Sequence, residues 1–191
     1  MSAYMTSTKA YVDQLREMHQ TNSNFGKGGS RWVPVVEAVM ESLGGTTDIL
    51  DYGCGKGELN LHMPFQIQMY DPGILIHGDK PDPAAIVVCT DVMEHIEPLF
   101  MTDVIEHLFD LTLERLILNV SCRPAVKKLP DGRNAHLIIE SPAFWLKRFL
   151  KAGFVVDTAL GETKTTHPDW IFDHPVNDVT WVFKHPANDV E

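Results

Sequence analysis

The residues best suited to chemistry in this 191-residue chain follow short apolar runs. Ile49-Leu-Asp-Tyr-Gly-Cys-Gly-Lys-Gly57 sets one carboxylate, Asp51, two residues ahead of three alternating glycines, Gly53, Gly55 and Gly57. Glycines at this spacing let the backbone turn sharply and approach a ligand closely. A dinucleotide turn of GxGxxG type leaves room for a pyrophosphate, whereas a flanking acid repels one and suits an amine-bearing ligand. Asp71 ends the next apolar run, 20 residues after Asp51, followed by Pro72. A carboxylate at that point can accept both hydroxyls of a ribose. The bland alternatives are a tight turn without a ligand and a turn-forming acid.

Two further groups come later in the chain. Cys89, Thr90, Asp91, Glu94 and His95 follow or end the apolar run Ala84–Cys89, and Asn119, Ser121 and Arg123 follow Leu116–Val120. The loop Lys127-Lys-Leu-Pro-Asp-Gly-Arg-Asn-Ala-His136 is denser in functional groups than a connection requires. His136, with an unperturbed pKa of about 6.5, is the candidate general base. Asp91 and Glu94 are further catalytic candidates. Arg123 and Arg133 could clamp a carboxylate or phosphate, and Asn134 and His95 are candidate substrate contacts. The plainer reading is a solvated loop, with His95 a structural histidine.

The elements that must position these residues are legible as periodicity. Continuous apolar runs at 48–52, 67–71, 84–90 and 116–120 read as strands buried on both faces. Helical spacing covers 9–19, 31–43 with Ser30 as cap and Gly44-Gly45 as stop, 98–113 with Leu99 among its apolar positions, and 144–150. Runs at 154–158 and 179–183 suggest a closing antiparallel hairpin, joined by a loop rich in proline, histidine and aspartate. The alternation predicts an α/β, Rossmann-like doubly wound, mostly parallel sheet. Residues 1–30 read as an amino-terminal helix and a lid-like glycine-rich loop, and 31–191 as one domain.

Composition narrows the function. Sixteen lysines and arginines against 26 aspartates and glutamates leave a net charge of −10, which disfavours a duplex nucleic-acid partner. The three cysteines, Cys54, Cys89 and Cys122, form no CxxC pair and predict neither a disulfide framework nor a zinc knuckle. His167, His174 and His185 each precede proline and mark turns, and no metal is expected from their spacing. Without a membrane-length apolar run or a secretory signal, the expected location is the cytoplasm.

At these residues the chain resembles the class I S-adenosylmethionine-dependent methyltransferases. Asp51–Gly57 looks like the family's glycine-rich motif, Asp71 like its ribose acid, and Ala85–Ile96, with Glu94-His95, like its fourth-strand motif. The run Leu129–His136 is similar to one in short methyltransferase-domain proteins of bacteria and their phages. The resemblance implies S-adenosylmethionine as cofactor and S-adenosylhomocysteine as product, bound by Asp51, Gly53, Cys54, Gly55, Gly57, Asp71, Pro72, Cys89 and Thr90. It implies methyl transfer to an oxygen or nitrogen of a small molecule, such as a sugar or nucleotide metabolite. Rival readings are a nucleic-acid or protein methyltransferase docked through Lys127, Lys128 and Arg133, and a cofactor-binding module without catalysis. The chain departs from the family between Pro72 and Pro83, a segment too short for the usual third strand and helix. The third-strand unit is therefore expected to be shortened or missing, with Asp79 as the candidate adenine-side acid.

Overall fold

The computed structural model describes residues 4–162 and 178–186. The apolar runs become four parallel strands, β1 (Ile49–Tyr52), β2 (Gln68–Tyr70), β3 (Ala84–Thr90) and β4 (Thr112–Ser121). β5 (Val155–Val156) and β6 (Asp178–Lys184) complete the sheet antiparallel, β6 against β4 and β5 against β6. The spatial order is β2-β1-β3-β4-β6-β5. No strand forms between β2 and β3; a 3-10 turn at Leu75–His77 takes that place, and among the described residues the sheet ends at β2.

Burial on both faces follows from the side-chain alternation of extended chain. Leu50, Val87, Cys89, Leu116 and Leu118 point to one face, where they pack with Val104 and Leu108 of α4 (Met101–Leu111) and Trp145 and Phe149 of α5 (Pro142–Lys151). Ile49, Ile86, Val88 and Ile117 point to the other, against Val35, Val36 and Val39 of α2 (Val33–Ser42) and Leu59 of α3 (Glu58–His62). The remaining helices among the described residues are α1 (Lys9–Thr21) and α6 (Thr158–Glu162). α1 joins neither main core; its Tyr11 and Met18 pack with Leu129 and Ala135 of the 122–136 loop.

Several boundaries differ from the periodicity. Ser30 does not cap α2; the chain enters through a 3-10 turn, Gly29–Trp32, and α2 has Trp32 at its N-cap position without a side-chain bond. The helix expected over 98–113 is a 3-10 turn, Pro98–Phe100, followed by α4, and Leu99 is 82% exposed. It stops at Leu111 because Thr112 turns extended, its hydroxyl donating to the Leu108 carbonyl at 2.7 Å. The strand expected over 154–158 shrinks to two residues, and a short helix, α6, follows where a loop was expected. Asp157 sets that break: Oδ2 accepts from Arg115 Nε at 2.8 Å and Oδ1 accepts the Ala159 N–H at 3.1 Å. His167 and His174 lie outside the described residues, while His185 packs against the Phe109 ring with centroids 4.4 Å apart. Among the described residues no helix is long and apolar enough to cross a membrane.

Candidate cofactor and acceptor site

The parallel register of β1, β2 and β3 brings their carboxyl ends to one edge, the edge where doubly wound sheets bind ligands. There the chain turns through Gly53, whose N–H donates to the Tyr70 carbonyl at 2.7 Å, as does that of Cys54 at 3.1 Å. The Asp71 carboxylate accepts the Gly55 N–H through Oδ2 at 3.0 Å and the Gly73 N–H through Oδ1 at 2.8 Å. The turn after β1 and the acid after β2 are thus one bonded unit.

The glycine-rich loop after α1 lies directly on this turn. A Cβ on Gly55, which has φ 52°, would fall 2.5 Å from the Gly26 carbonyl oxygen, so only glycine permits the approach. The same carbonyl accepts the Lys56 N–H at 2.9 Å, and Lys56 Nζ donates to the carbonyls of Asn22 and Ser23, each at 2.9 Å. α1 is tied down farther along by Tyr11, whose hydroxyl donates to the His95 carbonyl at 2.6 Å, and by Thr8, whose N–H and hydroxyl both reach Glu97.

Between turn, α1 and the 122–136 loop lies a cavity of about 470 Å³, within the usual range of small-molecule sites. Asp51, Gly53, Cys54, Gly55, Asp71 and Pro72 line one end. Thr90, Asp91, His95, Arg123 and His136 line the other walls. Gly57 does not reach the cavity: it precedes α3 at φ 72°, and α3 has only five residues, so the turn amides rather than a helix end face the ligand space. Cys89 is wholly buried in β3, and Asp79 is exposed away from the cavity. Residues that the sequence reading did not single out as site residues also line it, among them Tyr11, Leu15 and His19 of α1. Phe25, assigned only to the lid-like loop, lies there too.

Burial governs the charge of the groups around the turn. Burial, reinforced by the charge of Asp71, pushes the Asp51 carboxyl up to about 7. Burial pulls His19 down, although Asp71 Oδ2 lies 3.9 Å from its Nε2 and opposes that shift. The Cys54 thiol is pushed well up by burial and then by Asp51 and Asp71, and burial raises Cys89 likewise, so neither offers a thiolate at neutral pH.

The acceptor candidates divide into those on the wall and those behind it. Asp91, at φ 55°, forms an ion pair with Arg31, which also lines the cavity. His95 Nδ1 lies 2.8 Å from the Ala135 carbonyl and His136 Nδ1 2.5 Å from that of Arg123. A carbonyl can only accept, so each ring carries its proton on Nδ1 and keeps a lone pair on Nε2. Burial and the neighbouring His136 lower His95 to about 4. Glu94 is fully buried behind them, with Oε1 accepting the Ser121 N–H at 3.1 Å. Asn134 is a brace rather than a wall residue: Oδ1 accepts the N–H groups of Ala125 and His136, each at 2.9 Å, and Nδ2 donates to the Ala125 carbonyl at 2.8 Å. Arg133 points outward and pairs with Asp131 at 2.7 Å. Asn119 holds β6, its Nδ2 donating to Thr180 Oγ1 at 2.9 Å.

No family model matches the chain, and a search of curated proteins finds no match. Solved structures do match in fold. The magnesium protoporphyrin IX methyltransferase of Synechocystis PCC 6803 with bound SAM is 17% identical over 94% of this chain and 99% of its own, at TM-score 0.56. The N-methyltransferase NodS of Bradyrhizobium japonicum WM9, in complex with S-adenosyl-L-homocysteine, is 11% identical over 92% and 99%, at 0.52. The 1,6-didemethyltoxoflavin-N1-methyltransferase of Burkholderia thailandensis, with bound 1,6-didemethyltoxoflavin and S-adenosylhomocysteine, is 12% identical over 96% and 92%, at 0.52. The chain has the class I methyltransferase fold.

Proposed function

We propose that this chain is an enzyme that transfers a methyl group from S-adenosylmethionine to an oxygen or nitrogen of a small molecule, such as a sugar or nucleotide metabolite. The observation that carries this reading is the bonded pair of Asp71 and Gly55, with the buried Asp51 beside it, at one end of a cavity whose other walls carry histidines. The solved structures cited above that share the fold hold the same cofactor or its product.

The residues fit that cofactor. Each Asp71 oxygen already accepts one backbone N–H and retains a lone pair for a ribose hydroxyl. Asp51 can pair with a cationic amine, and the amine restores the charge that burial suppresses. Nδ1 of His19, buried against the cavity, has no hydrogen-bond partner among the described residues, and a polar ligand atom would supply one. When bound, the cofactor supplies an electrophilic methyl group on a sulfonium sulfur.

The chain's own part is positioning and exclusion of water. Leu15 and Phe25 cover the cavity from the amino-terminal side, and Lys127 Nζ, 3.1 Å from the Asn24 carbonyl, ties the acceptor loop to that cover. The cavity wall formed by Thr90, His95 and Arg123 would hold the acceptor atom in line with the methyl group that the cofactor would supply. The acceptor's proton leaves towards the Nε2 lone pair of His136, with His95 beside it as a contact. The ion pair of Arg133 with Asp131 takes up one of the three cations that a nucleic-acid dock would use, which favours a small acceptor.

Calorimetric titration of the purified chain with S-adenosylhomocysteine tests the reading. Saturable heat and a raised melting temperature are expected. No heat and an unmoved melting curve would refute it, and binding without turnover on a broad acceptor panel would mark a binding module instead.

A further inference from the structure

One ligand atom from each of Glu94, His95 and His136 falls within 4.8 Å of the other two. Glu94 and His95 sit together on the 3-10 turn after β3, and His136 comes from the loop after β4, 41 residues beyond His95. The sequence offers no compact spacing; the fold makes the group.

We propose that Glu94, His95 and His136 hold a divalent transition-metal ion, and that this ion binds the oxygen of an alcohol or phenol acceptor. Two imidazoles and one carboxylate are a donor set for zinc, manganese, iron or cobalt in the divalent state. Three features beyond proximity point to it. Both rings donate Nδ1–H to backbone carbonyls, which fixes the tautomer and aims Nε2 as the ligand atom, as in ligating histidines generally. The Glu94 carboxylate is oriented by the Ser121 N–H on Oε1. Both histidines line the cavity, so three protein ligands leave coordination positions open on the side where an acceptor sits. An ion about 2.1 Å from each ligand needs ligand atoms no more than about 4.2 Å apart, so small side-chain rotations complete the site.

The ion also selects the acceptor atom. A coordinated amine has given its only lone pair to the metal and cannot attack. With an ion bound, the Nε2 lone pairs of His95 and His136 go to the metal and neither ring takes the acceptor's proton; a coordinated hydroxyl would instead lose it to water as the ion lowers its pKa, and the oxygen keeps further lone pairs. This deepens the methyl-transfer reading and rests on it for the role of the ion, not for its binding.

The test uses the full chain without a histidine tag, stripped with a chelator and titrated with Co²⁺ alone. We expect one tight equivalent, with a ligand-field band in the visible spectrum. His136→Ala and Glu94→Gln should each weaken Co²⁺ about 100-fold, while S-adenosylhomocysteine binds His136→Ala as it binds the parent. No band in the parent chain, or a band unchanged in both variants, would overturn the proposal. Should Glu94→Gln unfold, the comparison stands on His136→Ala, whose side chain is half-exposed. Cobalt binding without S-adenosylhomocysteine binding would sink the cofactor reading and leave the ion site; the reverse would sink the ion site alone.

Discussion

Asp71 accepts the backbone N–H of Gly55 at 3.0 Å, so the acid that ends β2 also fixes the turn that follows β1. A ligand held by that acid is therefore held against a turn whose shape the same acid maintains. Asp71→Asn should weaken S-adenosylhomocysteine about 10- to 100-fold, the scale of a hydrogen bond to a charged group. His136→Ala should leave that affinity unchanged and lower turnover. Titration calorimetry of both variants checks the division, and equal losses of affinity would contradict it.

Asp51 gives a pH dependence with a defined sign. Its carboxyl sits at about 7 in the folded chain against 3.8 as its ordinary value. Between those values the folded protein keeps a proton that the unfolded chain has released, so this group's contribution to stability falls as pH rises through the window. Asp51→Asn should melt higher than the parent at pH 8, with the gap closing towards pH 4. Ligand affinity should move oppositely, rising with pH up to about 7 in the parent as the carboxylate forms, and staying flat in Asp51→Asn.

Much of this architecture is readable before folding. β1, β3 and β4 are continuous apolar runs because both faces of a parallel sheet are covered, and the shortness of 72–83 announces the missing strand. Asp51 and Asp71 are readable because strand ends at the carboxyl edge share one location. The seat of the amino-terminal loop on the glycine turn is not readable: it is backbone against backbone, Gly26 on Gly55, and leaves only two glycine-rich stretches as a trace. Nor is the role of Asn134, since a side chain that braces its own loop has the same composition as one that grips a substrate.

The close approach of Gly26 and Gly55 can be tested directly. Gly55→Ala places a Cβ against the Gly26 carbonyl at a positive φ and should cost about 2 kcal/mol. It should also release residues 22–29, seen as faster proteolysis or hydrogen exchange there with the β3–β4 core unchanged.

Asn134→Ala removes three hydrogen bonds within the acceptor loop. Turnover is expected to drop and the apparent acceptor KM to rise, with S-adenosylhomocysteine affinity kept. A drop in cofactor affinity of the same size would instead place Asn134 in the cofactor's support.

The sheet stops at β2, and Pro72 on the cavity wall belongs to a connection rather than to a strand. That connection is held by a few turn bonds, from the Asp71 N–H to His77 O, Ile74 N–H to Asp71 O and His77 N–H to Ile74 O. Opening this flank means loosening one loop, a local fluctuation, whereas in a sheet one strand wider it would mean peeling paired backbone away. On the proposed function, the flank that yields most readily beside a bound nucleoside is therefore the connection 72–83, which touches α1 where Gly73 meets Leu15 and His19.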